Sequence, residues 1–196
     1  MDADSTVNLG RWIFWGVALA GALYAVLIYN NLVRLKHQVS KSWSNIDVLL
    51  KQRHDELPKL VETCKQYMQF EQDTLEKVML ARAAAHTARG QGDVKGVGAA
   101  ETQMRLGLGQ LFAVAENYPE LKANQSFQQL QARISGLENA IADRREFYNE
   151  AVNLNNVRIE QFPDVILARM FAFKAADLME FSAAELKDPD IKSLFA

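Results

Sequence analysis

The longest apolar run lies near the N-terminus. No residue from Trp12 to Val33 is charged, and Trp12–Tyr29 is apolar throughout. A helix needs roughly 17–25 such residues to cross a bilayer, so the pattern predicts one transmembrane helix over 12–33. Trp12, Trp15 and Tyr29 stand where interfacial aromatic anchors belong. A cleaved signal peptide fits less well, because Asp2 and Asp4 face only Arg11 before the run and no small-x-small site follows it. Arg34, Lys36 and Lys41 follow the segment. Basic residues stay on the cytoplasmic side, which predicts a short extracytoplasmic tail over 1–11 and a cytoplasmic domain after the helix. Gly16, Ala20, Gly21 and Ala25 form a weak small-residue pattern for helix pairing.

After the membrane segment the apolar spacing changes to three, four and seven. Val39, Trp43, Ile46, Leu50, Leu57, Leu60, Val61, Cys64, Met68, Leu75 and Val78 follow one another mostly at these steps, which places them on one helical face. Pro58 falls inside this run and removes a backbone donor, which predicts a kink or a new start; a continuous helix running out of the membrane and bent near Pro58 is the preferred picture. The segment 90–98 holds four glycines in nine residues and reads as a flexible loop. A second helix is expected over about 99–117, with Gly107 and Gly109 marking close packing or mobility. Tyr118-Pro119 starts a turn, with Pro119 suited to a first helical position. Phe127, Leu130, Ile134, Leu137, Ile141, Tyr148, Val152 and Ile159 define the clearest long helix, which Phe162-Pro163 ends. A last helix is expected over about 164–185, with the acidic stretch 175–196 as a helix or tail. No stretch alternates with period two. The predicted fold is all-α, a single N-terminal transmembrane helix continuing into a long antiparallel helical bundle over 34–174.

Composition narrows the chemistry. A net charge of -2 argues against a nucleic-acid partner. Cys64 is the one cysteine, and it sits on the apolar stripe, where a buried thiol is expected rather than a nucleophile. His37, His54 and His86 have no glutamate three residues before them, so the di-metal carboxylate motif of helical bundles is missing. No zinc pattern or phosphate loop is present either, and no metal, cofactor or catalytic residue is expected. Asp47, Arg53, Glu71, Arg82, Glu138 and Arg145 stand in or beside the apolar stripes. Buried charges are rarely unpaired, so interhelical ion pairs that fix register are expected of them. Asn149, Asn153, Asn155 and Asn156 crowd the end of the long helix. They suit an amide network, or a recognition surface.

Several short words occur in a fixed order. Tyr29-Asn30-Asn31-Leu32-Val33 leaves the apolar run. Trp43-Ser44-Asn45-Ile46-Asp47-Val48 leads to Leu50-Lys51-Gln52-Arg53, Asp55 and Pro58. Glu116-Asn117-Tyr118-Pro119-Glu120-Leu121 follows, then Glu138-Asn139, Ala142-Asp143-Arg144-Arg145-Glu146-Phe147-Tyr148-Asn149 and Phe162-Pro163. In this order they resemble the LemA family over about residues 29–168. Gln52, Phe70, Gly107 and Gly109 depart from the family pattern. The resemblance implies a bacterial inner-membrane protein with a long helical bundle and no established enzymatic activity. The expectation is then a membrane-anchored, non-enzymatic scaffold or adaptor that self-assembles. Its partners would be the bilayer, further copies and an unidentified protein. The alternative is a signalling protein that passes a conformational change along the helix leaving the membrane, with Pro58 and Gly107–Gly109 as candidate switch points. Trp43, Tyr118, Pro119, Phe162 and Pro163 join the charged residues and Asn149 as candidate structural or interaction positions. Phe171, Phe173, Met179 and Phe181 are candidate exposed apolar contacts.

Overall fold

The computed structural model describes residues 3–180. Among them are six helices and no strand: α1 (Ala3–Lys65), α2 (Gln72–Gln91), α3 (Val94–Ala115), α4 (Pro119–Ala123), α5 (Gln125–Glu160) and α6 (Asp164–Met170). The chain is all-α, as its periodicity predicts. It forms two compact units. One combines the chain up to Lys41 with Ala151–Ala176; the other combines Ser42–Glu150 with the described residues from Asp177 onward.

In the second unit, Leu57, Leu60, Val61 and Cys64 of α1 meet Leu75 and Val78 of α2, Met104, Leu108 and Leu111 of α3, and Phe127 and Ile134 of α5. These are the positions that the three-four spacing selects. Helix α1 runs through Pro58 as one continuous helix, in line with the preferred reading, but it stops at Lys65, where no break is expected. Pro58 cannot donate to the carbonyl of His54, four residues back. Arg82 of α2 supplies the missing donor, its Nε lying 2.9 Å from that carbonyl. The chain reverses after Lys65 instead, where the Cys64 carbonyl accepts from Tyr67 N–H (3.0 Å) and Met68 N–H (2.8 Å). A step of seven from Met68 to Leu75 hides this turn, since it keeps the apolar phase whether or not the helix is continuous.

The glycine-rich segment 90–98 is not a flexible loop. Gly92 ends α2 at φ 68°, a conformation that favours glycine. Its N–H donates to the Arg89 carbonyl, and Asp93 N–H donates to that of Ala88, at 3.1 and 3.0 Å. This is the Schellman pattern. Asp93 then caps α3, its side chain accepting from Gly96 N–H at 2.9 Å. Only Gly92 and Asp93 separate the two helices, so the second helix starts at Val94 and not near 99.

Gly107 is buried in α3, and a Cβ there would lie 3.2 Å from Val78 Cγ2; one at Gly109 would meet nothing within 4 Å. Gly109→Ala is therefore expected to stabilise the fold by about 0.5–1 kcal/mol, the ordinary helical gain over glycine. Gly107→Ala should gain less, because Val78 must give way. Denaturant midpoints of the two variants measure the order directly.

The first unit contains the apolar N-terminal helix. Trp12, Ile13, Phe14, Trp15, Leu19, Leu23 and Leu27 are exposed. The stretch is long and apolar enough to cross a membrane, with a mean hydropathy of 1.9 in its most apolar window. Ile28 and Leu32 differ: they are buried with Ala168, and Ile159, Leu167 and Phe173 pack beside them. Tyr29 meets Phe171 edge-on at 4.7 Å between ring centroids. The last turns of the expected span 12–33 thus face protein. Helix α6 ends at Met170, not near 185, with Ala172 at φ 53° just after it. Residues 173–180 have no regular secondary structure. Phe181 and the rest of the acidic stretch lie outside the described residues.

Candidate functional site

Arg53 of α1 is 2% exposed, and it binds carboxylates from two other helices, Glu101 of α3 and Glu138 of α5. Burial works against its charge, but the two carboxylates outweigh that and hold its pKa above the ordinary value. Burial pushes Glu101 up, with Arg53 opposing. Glu101 Oε1 and Arg53 Nε have no hydrogen-bond partner among the described residues. One guanidinium facing two carboxylates leaves the cluster anionic when all three are charged. Arg89 of α2 reaches back to α1, its Nε donating to Asp47 at 2.8 Å. His54 and His86 lie ring to ring at 5.0 Å. Burial lowers the His54 pKa, and Arg82 and His86 lower it further.

The charges in the stripes thus divide. Asp47, Arg53 and Glu138 enter interhelical ion pairs, while Arg82 binds a backbone carbonyl. Glu71 sits half-buried at the start of α2 and makes no side-chain cap. Arg145 is half-buried and engaged. Sequence reasoning missed Glu101 and Arg89. Glu101 carried a signal, being the only acid in α3. Trp43 packs against Tyr148 at 5.6 Å. Tyr118 lies against the core, and Pro119 opens α4 as its first residue. Phe162 is exposed and Pro163 follows it through a cis peptide bond.

Asn149 has a different task. Its Nδ2 donates to the Met179 carbonyl at 3.1 Å, and its Oδ1 accepts from Met179 N–H at 2.9 Å. A carboxamide carries a donor and an acceptor side by side, so one side chain satisfies both backbone groups of Met179. Tyr148 Oη donates to the Asp177 carbonyl at 2.9 Å. Lys95 of α3 pairs with the Asp177 carboxylate at 3.0 Å, and that contact raises its pKa. Burial, and then the Asp177 charge, push the Tyr148 phenol up to about 12. In the first unit, Asn156 grips Ala176 in the same two-bonded way, both bonds at 2.9 Å, and Asn155 Nδ2 donates to Asn156 Oδ1 at 3.2 Å. Asn153 is exposed.

Burial pushes the Cys64 thiol up to about 12, so it is not poised as a nucleophile. Among the described residues no three His, Cys, Asp or Glu side chains are grouped to hold a metal.

Residues 42–192 match the model of the LemA family. The chain is also 34% identical over 73 residues to Magnetosome protein MamQ 2 and to Magnetosome protein MamQ 1, both of Paramagnetospirillum magneticum, covering 37% of this chain and 27% of each relative. It is 30% identical over 70 residues to Magnetosome protein MamQ of Magnetospirillum gryphiswaldense, covering 36% of this chain and 26% of that one. The matches thus span about a quarter of those relatives. The family match, by contrast, takes in most of the sequence and the whole of the ion-paired bundle. The chain belongs to the LemA family.

Proposed function

We propose that this protein is a membrane-anchored, non-enzymatic scaffold that self-assembles and presents its helical bundle to partner proteins. The observation that carries this reading is α1, one helix with an exposed apolar stretch at Trp12–Leu27 and core positions such as Leu57 and Leu60 further along. A helix of that composition is stable in a bilayer, where its backbone groups are satisfied internally. Phe162 and the α6 residues Ile166 and Met170 are also exposed, at 76, 57 and 64%. In the same unit as the membrane helix, such apolar surface suits the lipid interface. The basic residues after the apolar run favour a cytoplasmic bundle in the bacterial inner membrane.

A signalling role would need a two-state element. Two of its candidate positions are packed: Arg82 donates to the His54 carbonyl that Pro58 leaves free, and Gly107 has Val78 against it. That favours the scaffold.

The test is extraction from native membranes in mild detergent, followed by mass determination and identification of bound proteins. We expect an assembly of several copies, with or without a second protein in fixed ratio. A lone monomer with nothing bound would overturn the proposal.

A further inference from the structure

An open cleft of about 470 Å³ lies in the first unit, at the end of the apolar stretch of α1. Helix α1 lines it with Tyr24, Leu27, Asn30, Asn31 and Arg34, and the last turn of α5 adds Arg158. Asn30, Asn31, Arg34 and Arg158 all carry N–H donors, and among the described residues no carboxylate lines the cleft. Arg34 Nη2 donates to Asn31 Oδ1 at 2.8 Å, which steadies the guanidinium without neutralising it. Arg158 is ion-paired through Nε with the buried Asp164, and its side chain is still 39% exposed. A guanidinium has five N–H donors, so one ion pair does not exhaust it. Beyond residue 30 the unit carries Arg34, Lys36, Lys41, Arg158, Arg169 and Lys174 against Glu160 and Asp164, a positive surplus in a chain whose net charge is -2. A fork of two arginines in a positive field suits a phosphate.

Depth decides which phosphate. Tyr24 and Leu27 are exposed at the apolar end of the cleft. From Leu27 to Arg34 the helix rises by about 10 Å. That is enough to cross the headgroup zone, roughly 5–8 Å thick on each side of the hydrocarbon core. With Leu27 in hydrocarbon, Arg34 stands at phosphate level or just beyond it. A free anion would use only the polar end of such a cleft, whereas a phospholipid uses both ends. With no carboxylate to receive a choline or ethanolamine cation, the cleft favours a lipid whose headgroup is anionic overall.

We propose that this cleft binds an anionic phospholipid of the cytoplasmic leaflet. Arg34 and Arg158 take the phosphodiester, Asn30 and Asn31 add donors, and an acyl chain runs along Leu27 and Tyr24. The inference rests on the membrane-anchor reading above and names the lipid that the anchor holds. It is independent of self-assembly and involves no covalent step.

The test titrates the full-length protein, purified in mild detergent, with phosphatidylglycerol or phosphatidylcholine, and native mass spectrometry counts the bound lipid. We expect phosphatidylglycerol to bind the more tightly. Arg34 is exposed, and Arg34→Gln should weaken phosphatidylglycerol roughly tenfold, the effect of losing one charge-assisted hydrogen bond. Arg158→Lys keeps a charge for Asp164 but loses the fork, and should weaken binding as well. Lys41→Gln removes one charge outside the cleft and should change binding by about twofold at most. Equal affinity for the two lipids, or an equal loss in Lys41→Gln, would overturn the site. Displacement of the lipid by an equal concentration of inorganic phosphate would overturn the lipid assignment. Alkaline carbonate extraction of native membranes reads the anchor separately. A chain that stays in the membrane but shows no lipid preference would overturn the site alone; a chain that is released would overturn the anchor and the site together.

Discussion

Arg53→Met should cost about 3–5 kcal/mol of folding stability, the usual penalty for removing one partner of a buried ion pair. Methionine nearly matches the arginine stem in length, so little of the loss is volume. The damage comes from Glu101 and Glu138, left facing each other with no counter-charge. Two controls separate charge from packing. Adding Glu101→Gln and Glu138→Gln to Arg53→Met should restore much of the stability, because neutral amides tolerate burial better than carboxylates. Acid should also help the single variant. Burial already raises the Glu101 pKa with Arg53 present, and without Arg53 its main opponent is gone. A folded pKa above the unfolded value near about 4.3 gives stability that is complete below that pH and is lost as pH rises through the folded pKa. The Arg53→Met deficit should therefore shrink as pH falls from 7 toward 4. Denaturant unfolding in detergent, followed by circular dichroism, measures it. A deficit that stays flat with pH would mean that arginine acts here as a filler.

The second large effect belongs to Arg82. Its guanidinium donates to the one carbonyl that Pro58 leaves without a helical partner. Arg82→Met should cost about 1–3 kcal/mol, the range for a buried acceptor losing its donor. The cost should depend on residue 58. Pro58→Ala restores the N–H, so Arg82→Met in that background should cost clearly less, with a coupling of about 1 kcal/mol or more in a double-mutant cycle. Additive costs would show that Arg82 stabilises the fold through some other contact, such as the nearby His54 and His86.

This pair also marks the limit of sequence reading. Pro58 alone predicts a kink or a new start, because nothing nearby in sequence can replace the lost bond; the replacement comes from a residue 24 positions on, visible only after α2 folds back. The stripe from Phe127 to Ile159 was legible because a period of 3.6 survives any tertiary context. The glycines of 90–98 predict a loop by composition, whereas Gly92 and Asp93 act as helix caps. Asp93, three residues before Gly96, was the available signal for a helix start. Apolar residues continue past Met170 and so predict a longer α6, but Ala176 and Met179 beyond it are bound by side-chain amides rather than by a helical backbone. The crowd of asparagines drew attention in the sequence. Which of them would grip a backbone was not legible, since that depends on which face of α5 the returning chain meets. Arg53 and Glu138 were identified singly; the cluster emerged only when α3 supplied Glu101.

Cys64 has a practical consequence. It is the single thiol of the chain, fully buried, with its pKa pushed up to about 12. Alkylating reagents attack the thiolate, so the folded chain should be nearly inert to them, and labelling should proceed only through openings that expose the core. When reclosing is fast, the labelling rate reads the population of the open state. The unmodified protein thus carries its own clock for core opening, one that can be read in intact membranes, where most unfolding assays cannot follow.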